Sequence, residues 1–271
     1  MSQSRPVESG QAGTALTADS GRQLPLWERI AWPVMAAAIV LLLWTVAVSW
    51  SGTRIFPSPL AVLQALQHLA EKRLLWAYIG DSLRRVFAGY LLAVVVGIPL
   101  GLFLGWSSTA ARVVNPLIEM IRPISPIAWM PLAVIWFGIS DVAPVFLIFL
   151  ASFFPIVTAT ASGVREVPPM YLQAGRNFGY STARLMRAVI IPAILPRIVI
   201  GLRIAFGVAW LVLVAAEMIA VDSGLGYLII DARNAGKRYD LVVGGMLLIG
   251  LIGLLLDTIM RLAEARALER R

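Results

Sequence analysis

Residues 163–193 read GVREVPPMYLQAGRNFGYSTARLMRAVIIPA, the longest polar interruption between apolar runs in the chain. Its order can be read as local structure. Pro168 and Pro169 suit a helix start, where a missing N–H costs nothing. Gly179 supplies a left-handed stop, Ser181 can cap a second helix, and Pro192 precedes the next apolar run. Two short helices joined at a glycine are therefore expected. Ala174, Gly175 and Gly179 are small enough to let another protein approach the backbone, and Tyr171 and Phe178 could fill a pocket on it. The stretch reads as a docking surface.

The runs on either side set the solvent. Hydrophobic residues make up 59% of the 271 residues and charged residues 14%, with mean hydropathy +0.82, so lipid is the main surroundings. A bilayer core of about 30 Å takes about 20 apolar residues per helix. Six spans are expected, near 31–50, 82–105, 116–138, 142–162, 194–220 and 240–260, in an all-α integral membrane fold. Pro57 and Pro59 break the chain after the first span, and 60–71 (LAVLQALQHLAE) repeats apolar residues at helical spacing, an interfacial helix rather than a span. Pro123, Pro126 and Pro131 should kink or break the third span. Residues 1–25 are polar, lack the apolar core of a secretion signal, and are expected to be a disordered cytoplasmic tail ahead of one membrane domain, 26–271.

The net charge of +8 would suggest nucleic acid in a soluble protein, but most Arg and Lys flank apolar runs, so no nucleic-acid partner is expected. With the amino terminus inside, thirteen basic residues fall on the cytoplasmic side, that of Arg112, Arg165, Arg176 and Arg184, against eight opposite, including Arg84 and Arg85. Both termini are then cytoplasmic. There is no cysteine, which excludes disulfides and thiol chemistry. No repeat is evident, so six spans should form half a pore that a second copy or related subunit completes. No glycine loop ending in Lys and Ser or Thr is present, so nucleotide would be bound elsewhere.

Within the spans, Arg122 and Arg203 carry charge where a central position costs about 2.5–3.5 kcal/mol on insertion scales. A structural partner, such as Glu119 for Arg122, and contact with an anionic substrate both remain open. Glu217 reads as a structural ion pair ahead of a pathway residue, and Asp257 should face inward. Ser125 and Trp129, with Trp136 and Phe137, surround the proline-rich break and are candidates for the translocation path; an interfacial aromatic belt is the competing reading for Trp136 and Phe137. Gly97, Gly101 and Gly105 recur every four residues and should seat another helix. His68, the single histidine, has no companions for a metal site, and no metal is expected. Arg233, Asn234, Lys237 and Arg238 are expected in an outer polar loop that could meet a soluble protein.

The 163–193 stretch resembles the cytoplasmic loop of binding-protein-dependent ABC importer permeases, which carries Glu-Ala-Ala, three residues, Gly, about nine residues, then Ile-x-Leu-Pro. Here Gln173-Ala174-Gly175, Gly179 and Val189-Ile190-Ile191-Pro192 stand at that spacing. Arg122 through Pro131, Trp136-Phe137-Gly138, Gly201-Leu202-Arg203, Ala215-Ala216-Glu217 and Gly224-Leu225-Gly226 resemble the sulfonate, taurine and nitrate branch of that family.

The resemblance implies the type I importer permease fold and a loop helix seated in a groove of the ATP-binding subunit. Tyr171, Gln173, Ala174, Gly175, Phe178 and Gly179 would be the coupling residues. It further implies a chain that is not itself an enzyme and holds no cofactor, with ATP and Mg²⁺ on the partner. A second permease copy and a periplasmic or lipid-anchored substrate-binding protein would complete an importer in the bacterial inner membrane. The solute would be a small anion such as an aliphatic sulfonate, taurine, nitrate or bicarbonate, with an uncharged heterocycle as the alternative within the class. A secondary transporter and a membrane-embedded enzyme are the rivals outside it. Two departures stand out. Gln173 replaces a usual Glu and drops its charge, and Gly175 replaces a usual Ala at about 1 kcal/mol of helix propensity.

Overall fold

The computed structural model describes residues 26–51 and 57–269, all of whose regular elements are helical; the expected tail, 1–25, lies outside them. The chain divides at Trp50 into two compact units. The first contributes one helix, α1 (Leu26–Ser51), whose apolar part, Val34–Trp50, is shorter than the other spans.

The second unit begins with α2 (Pro59–Glu71). Ser58 Oγ accepts from the Ala61 N–H at 3.2 Å and Pro59 opens the first turn. Val62, Ala65 and Leu69 are buried, and Leu69 joins Leu75 and Leu228 in a small core. Three long helices carry the main packing: α3 (Leu74–Trp106), α6 (Val142–Arg165) and α9 (Ile191–Ala220). The expected glycine seam lies between α3 and α6. A Cβ on Gly101 would stand 2.6 Å from Thr160 Cβ, and one on Gly105 2.5 Å from Val164 Cβ, so only glycine allows this approach. Val86, Tyr90, Ile148, Ile156, Phe206 and Leu213 fill the centre, and the Tyr90 hydroxyl donates to the Leu202 carbonyl at 3.0 Å.

Among the described residues four helices are long and apolar enough to cross a bilayer, against the six spans expected: Leu74–Trp106, Val142–Arg165, Thr182–Ala220 and Tyr239–Ala267. The third expected span differs from a kinked rod. It consists of α4 (Ser108–Ile121) and a segment ending in α5 (Met130–Phe137), turned by 83° at the Arg122–Ser125 break. Pro123 and Pro126 remove two N–H donors there, and a 3₁₀ turn, Pro126–Trp129, restarts the helix.

One further finding corrects the sequence reading. The expected polar loop after Gly226 is a helix, α10 (Leu225–Gly236), because Leu225, Leu228, Ile229 and Ala232 form a buried face at helical spacing. Arg233 and Asn234 project from it, exposed. Pro192 stands at the start of the fifth span, as its position suggests. A π-turn, Met186–Ile190, precedes α9, with the Ile191 N–H donating to the Met186 carbonyl. The wider turn accommodates the carbonyl with which the Pro192 ring would otherwise collide. The chain closes with α11 (Tyr239–Glu269), whose Gly244 sits against Leu66 of α2.

Candidate functional site

The 163–193 loop folds as its residues suggest. Pro168 and Pro169 start α7 (Pro169–Asn177). At its end the Tyr180 N–H donates to the Gly175 carbonyl at 3.0 Å and the Gly179 N–H to the Arg176 carbonyl at 2.8 Å, with Gly179 at φ +73°. This doubled stop needs the left-handed residue that glycine supplies. Ser181 Oγ accepts from the Arg184 N–H at the start of α8 (Thr182–Leu185), and the Arg184 guanidinium lies 4.5 Å from the centre of the Tyr180 ring.

Five of the six loop residues singled out in the sequence are on the surface. Phe178 is 80% and Tyr171 51% exposed, and Gln173, Ala174 and Gly179 are exposed with them. Gly175 faces the other way. It is buried, and a Cβ there would stand 2.4 Å from Leu185 Cδ1, so its smallness serves the chain's own α7–α8 packing. The loop's base is tied down: Glu166 and Arg197 form an ion pair between the end of α6 and α9, and Val167 packs with Ile190, Ile194 and Ile198. A cleft of about 530 Å³ opens beside it, lined in part by Pro168, Tyr171, Val189 and Arg197.

At the far end of the long helices, Glu217 is wholly buried. Its carboxylate accepts from Arg85 Nη1 and Ser82 Oγ, each at 2.8 Å, and from the Gly226 N–H at 3.0 Å. Arg85, 2% exposed, also donates to Asp141 Oδ1 from Nη2 at 2.7 Å and to the Ser223 carbonyl from Nη1 at 2.8 Å. Arg84 pairs with the same Asp141. The cluster joins α3, the α5–α6 turn and the α9–α10 turn. Gly224 (φ +104°) completes it, since a Cβ there would stand 2.4 Å from Glu217 Oε1.

The other charged candidates divide. Arg203 Nε donates to Asp257 and Nη1 to Glu264, both at 3.1 Å, tying α9 to α11, and Asp257 also accepts from Arg261 at 2.9 Å. Among the described residues Arg122 and Glu119 form no ion pair with each other or with another residue, and Arg122 is exposed at the break. Ser125 is exposed beside it. Trp129 is half-buried against α6 and α9, and its indole N–H is buried without a hydrogen-bond partner among the described residues. Trp136, Phe137 and Phe146 form one aromatic group, with ring centres 5.5 to 6.3 Å apart.

Residues 97–269 match the family described as the inner membrane component of binding-protein-dependent transport systems. The chain belongs to this family. The permease is 37% identical over 256 residues to the taurine transport system permease protein of Escherichia coli (strain K12), covering 91% of this chain and 90% of that one. It is 36% identical over 196 residues to the nitrate import permease protein of Leptolyngbya laminosa, covering 72% and 70%. Among solved structures, a chain of the inward-facing MetNI methionine ABC transporter superposes with a TM-score of 0.62 at 18% identity, covering 73% of the permease and 95% of that chain, which shows the fold.

Sequence reasoning brought together the loop residues and the branch motifs but missed Ser82, Arg85 and Asp141 of the permease. The available signal was an acid inside an apolar run: Glu217, between Ala215-Ala216 and Met218-Ile219, demands a cation.

Proposed function

We propose that the permease forms the membrane path of an ATP-driven importer for a small anion of the sulfonate, taurine, nitrate or bicarbonate type, working by alternating access. The observation that carries this is the loop: a rigidly stopped α7 presents Phe178 and Tyr171 outward, and its successor runs as helix from Thr182 to Ala220. A push on the loop by a closing ATP-binding subunit would pass along that helix into the membrane. The subunit would bind ATP and Mg²⁺ and perform the hydrolysis. A second permease copy would complete the pore, and a periplasmic or lipid-anchored binding protein would deliver solute. In this arrangement both termini lie in the cytoplasm of a cell whose inner membrane holds the complex. The anion assignment follows the taurine and nitrate relatives.

The test is coexpression with a candidate ATP-binding subunit, followed by purification in lipid and measurement of ATPase activity. Association with wild type and its loss in Phe178→Asp support the reading. Failure of any ATP-binding subunit to associate with wild type overturns it.

A further inference from the structure

Helix α4 carries a polar line. Ser108, Arg112, Asn115, Glu119 and Arg122 fall at steps of four, three, four and three residues, which places them on one stripe. Val114 and Ile118 pack instead against the small core of Leu104, Val157 and Ala161, while Val113, Leu117 and Met120 are exposed on the opposite flank. Helix α6 answers with a stripe of its own, Thr158, Ser162 and Arg165, whose two hydroxyls donate to carbonyls of their own helix. Between the stripes lie two adjoining cavities of about 130 and 350 Å³ that share Asn115, Glu119 and Arg165. The first reaches Arg122 and Thr158, and the second Arg112 and Ser108.

Three guanidiniums face these cavities against one carboxylate. Among the described residues, none of Arg112, Arg122 and Arg165 forms an ion pair; the single side-chain hydrogen bond of the three runs from Arg165 to the Leu104 carbonyl at 3.3 Å. The 14 residues of α4 carry these charges over about 21 Å of helix, beside an exposed apolar flank. An unpaired charge in such a helix is stable only beside water.

We propose that the seam between α4 and α6 is a water-filled track selective for small oxoanions, running from the break at Arg122 to the loop end of the membrane at Arg112 and Arg165. This rests on the anion reading above and extends it to named residues. The guanidiniums draw the anion in, Asn115 offers amide hydrogens, and Glu119 keeps the site from holding it too tightly. Passage then proceeds from one arginine to the next.

The absence of cysteine permits a direct test on the full permease bound to its ATP-binding subunit in phosphatidylcholine nanodiscs. Asn115→Cys, Ser162→Cys and Leu117→Cys are each exposed to a thiosulfonate reagent bearing a sulfonate and to one bearing a quaternary ammonium. Rates are divided by those of free cysteine. The track predicts that 115 and 162 react roughly tenfold faster with the anionic reagent, that Arg122→Gln removes most of that preference, and that 117, facing lipid, stays unreactive. Equal normalised rates overturn anion selectivity, and silent cysteines at 115 and 162 overturn the water-filled seam. Either result, with ATPase association intact, leaves the importer reading standing.

Discussion

Glu217 and Arg85 meet at 2.8 Å where neither is open to solvent, and the turn that follows α9 is folded over them. A buried pair of this kind adds little stability compared with apolar residues of the same shape, but removing one partner strands the other. Arg85→Met should therefore cost about 3–5 kcal/mol, and Arg85→Met with Glu217→Leu much less than the sum of the two single changes. Thermal unfolding of the four proteins in one detergent measures the coupling. Additive losses would show that the charges do not depend on each other.

Gly224 should be intolerant of a methyl group. Gly224→Ala places a Cβ at positive φ within 2.4 Å of the Glu217 carboxylate and should lower stability by more than 2 kcal/mol. Gly207→Ala is the control, because that Cβ meets nothing within 4 Å and should stabilise its helix by up to about 1 kcal/mol. Unfolding temperatures that shift alike in the two variants would refute the close packing.

At Gly175 propensity and packing oppose each other. Alanine gains about 1 kcal/mol of helix propensity yet must displace the buried Leu185 methyl, so Gly175→Ala alone should lower coupled ATPase activity. Pairing it with Leu185→Val, which shortens the obstructing side chain, should restore it. No rescue by the pair would place the fault elsewhere.

Phe178 separates folding from docking. Truncating so exposed a ring should leave stability within about 0.5 kcal/mol of wild type while weakening association with the ATP-binding subunit by 2 kcal/mol or more, roughly thirtyfold in Kd. A titration of the two purified components decides between this and an idle surface ring.

What the chain disclosed in advance follows from the range of the forces involved. The Pro168–Pro169 start, the Gly179 stop and the Ser181 cap are local, and the structure has them where the residues placed them. The glycine seam was legible because small residues every four positions have one use in a membrane helix, although its partner, α6, was not. Arg84 and Arg85 were counted with basic residues beyond the membrane because hydropathy treats a charge as a boundary. Helix α3 begins at Leu74, eleven residues before Arg85, and only the distant Glu217 and Asp141 make that arginine affordable. Helix α10 was hidden by the polarity of Arg233 and Asn234 at its end, which outweighed the apolar spacing of Leu225, Leu228, Ile229 and Ala232. The 83° turn depends on how α4 and α5 separately meet α6, which proline content alone does not specify.

The π-turn at Met186–Ile190 bears on how the loop and the membrane helix could change independently. Because one extra residue sits in that turn, α8 and α9 share an axis but not a helical phase. The face that Thr182–Leu185 shows to α7 is set apart from the face on which Arg203 and Glu217 find their partners. Shortening 186–190 by one residue would bring the two into phase, turning everything beyond by about 100° and pulling both charges off their partners. Substitutions on the α8 side of the turn can thus reshape the loop without re-indexing the membrane core.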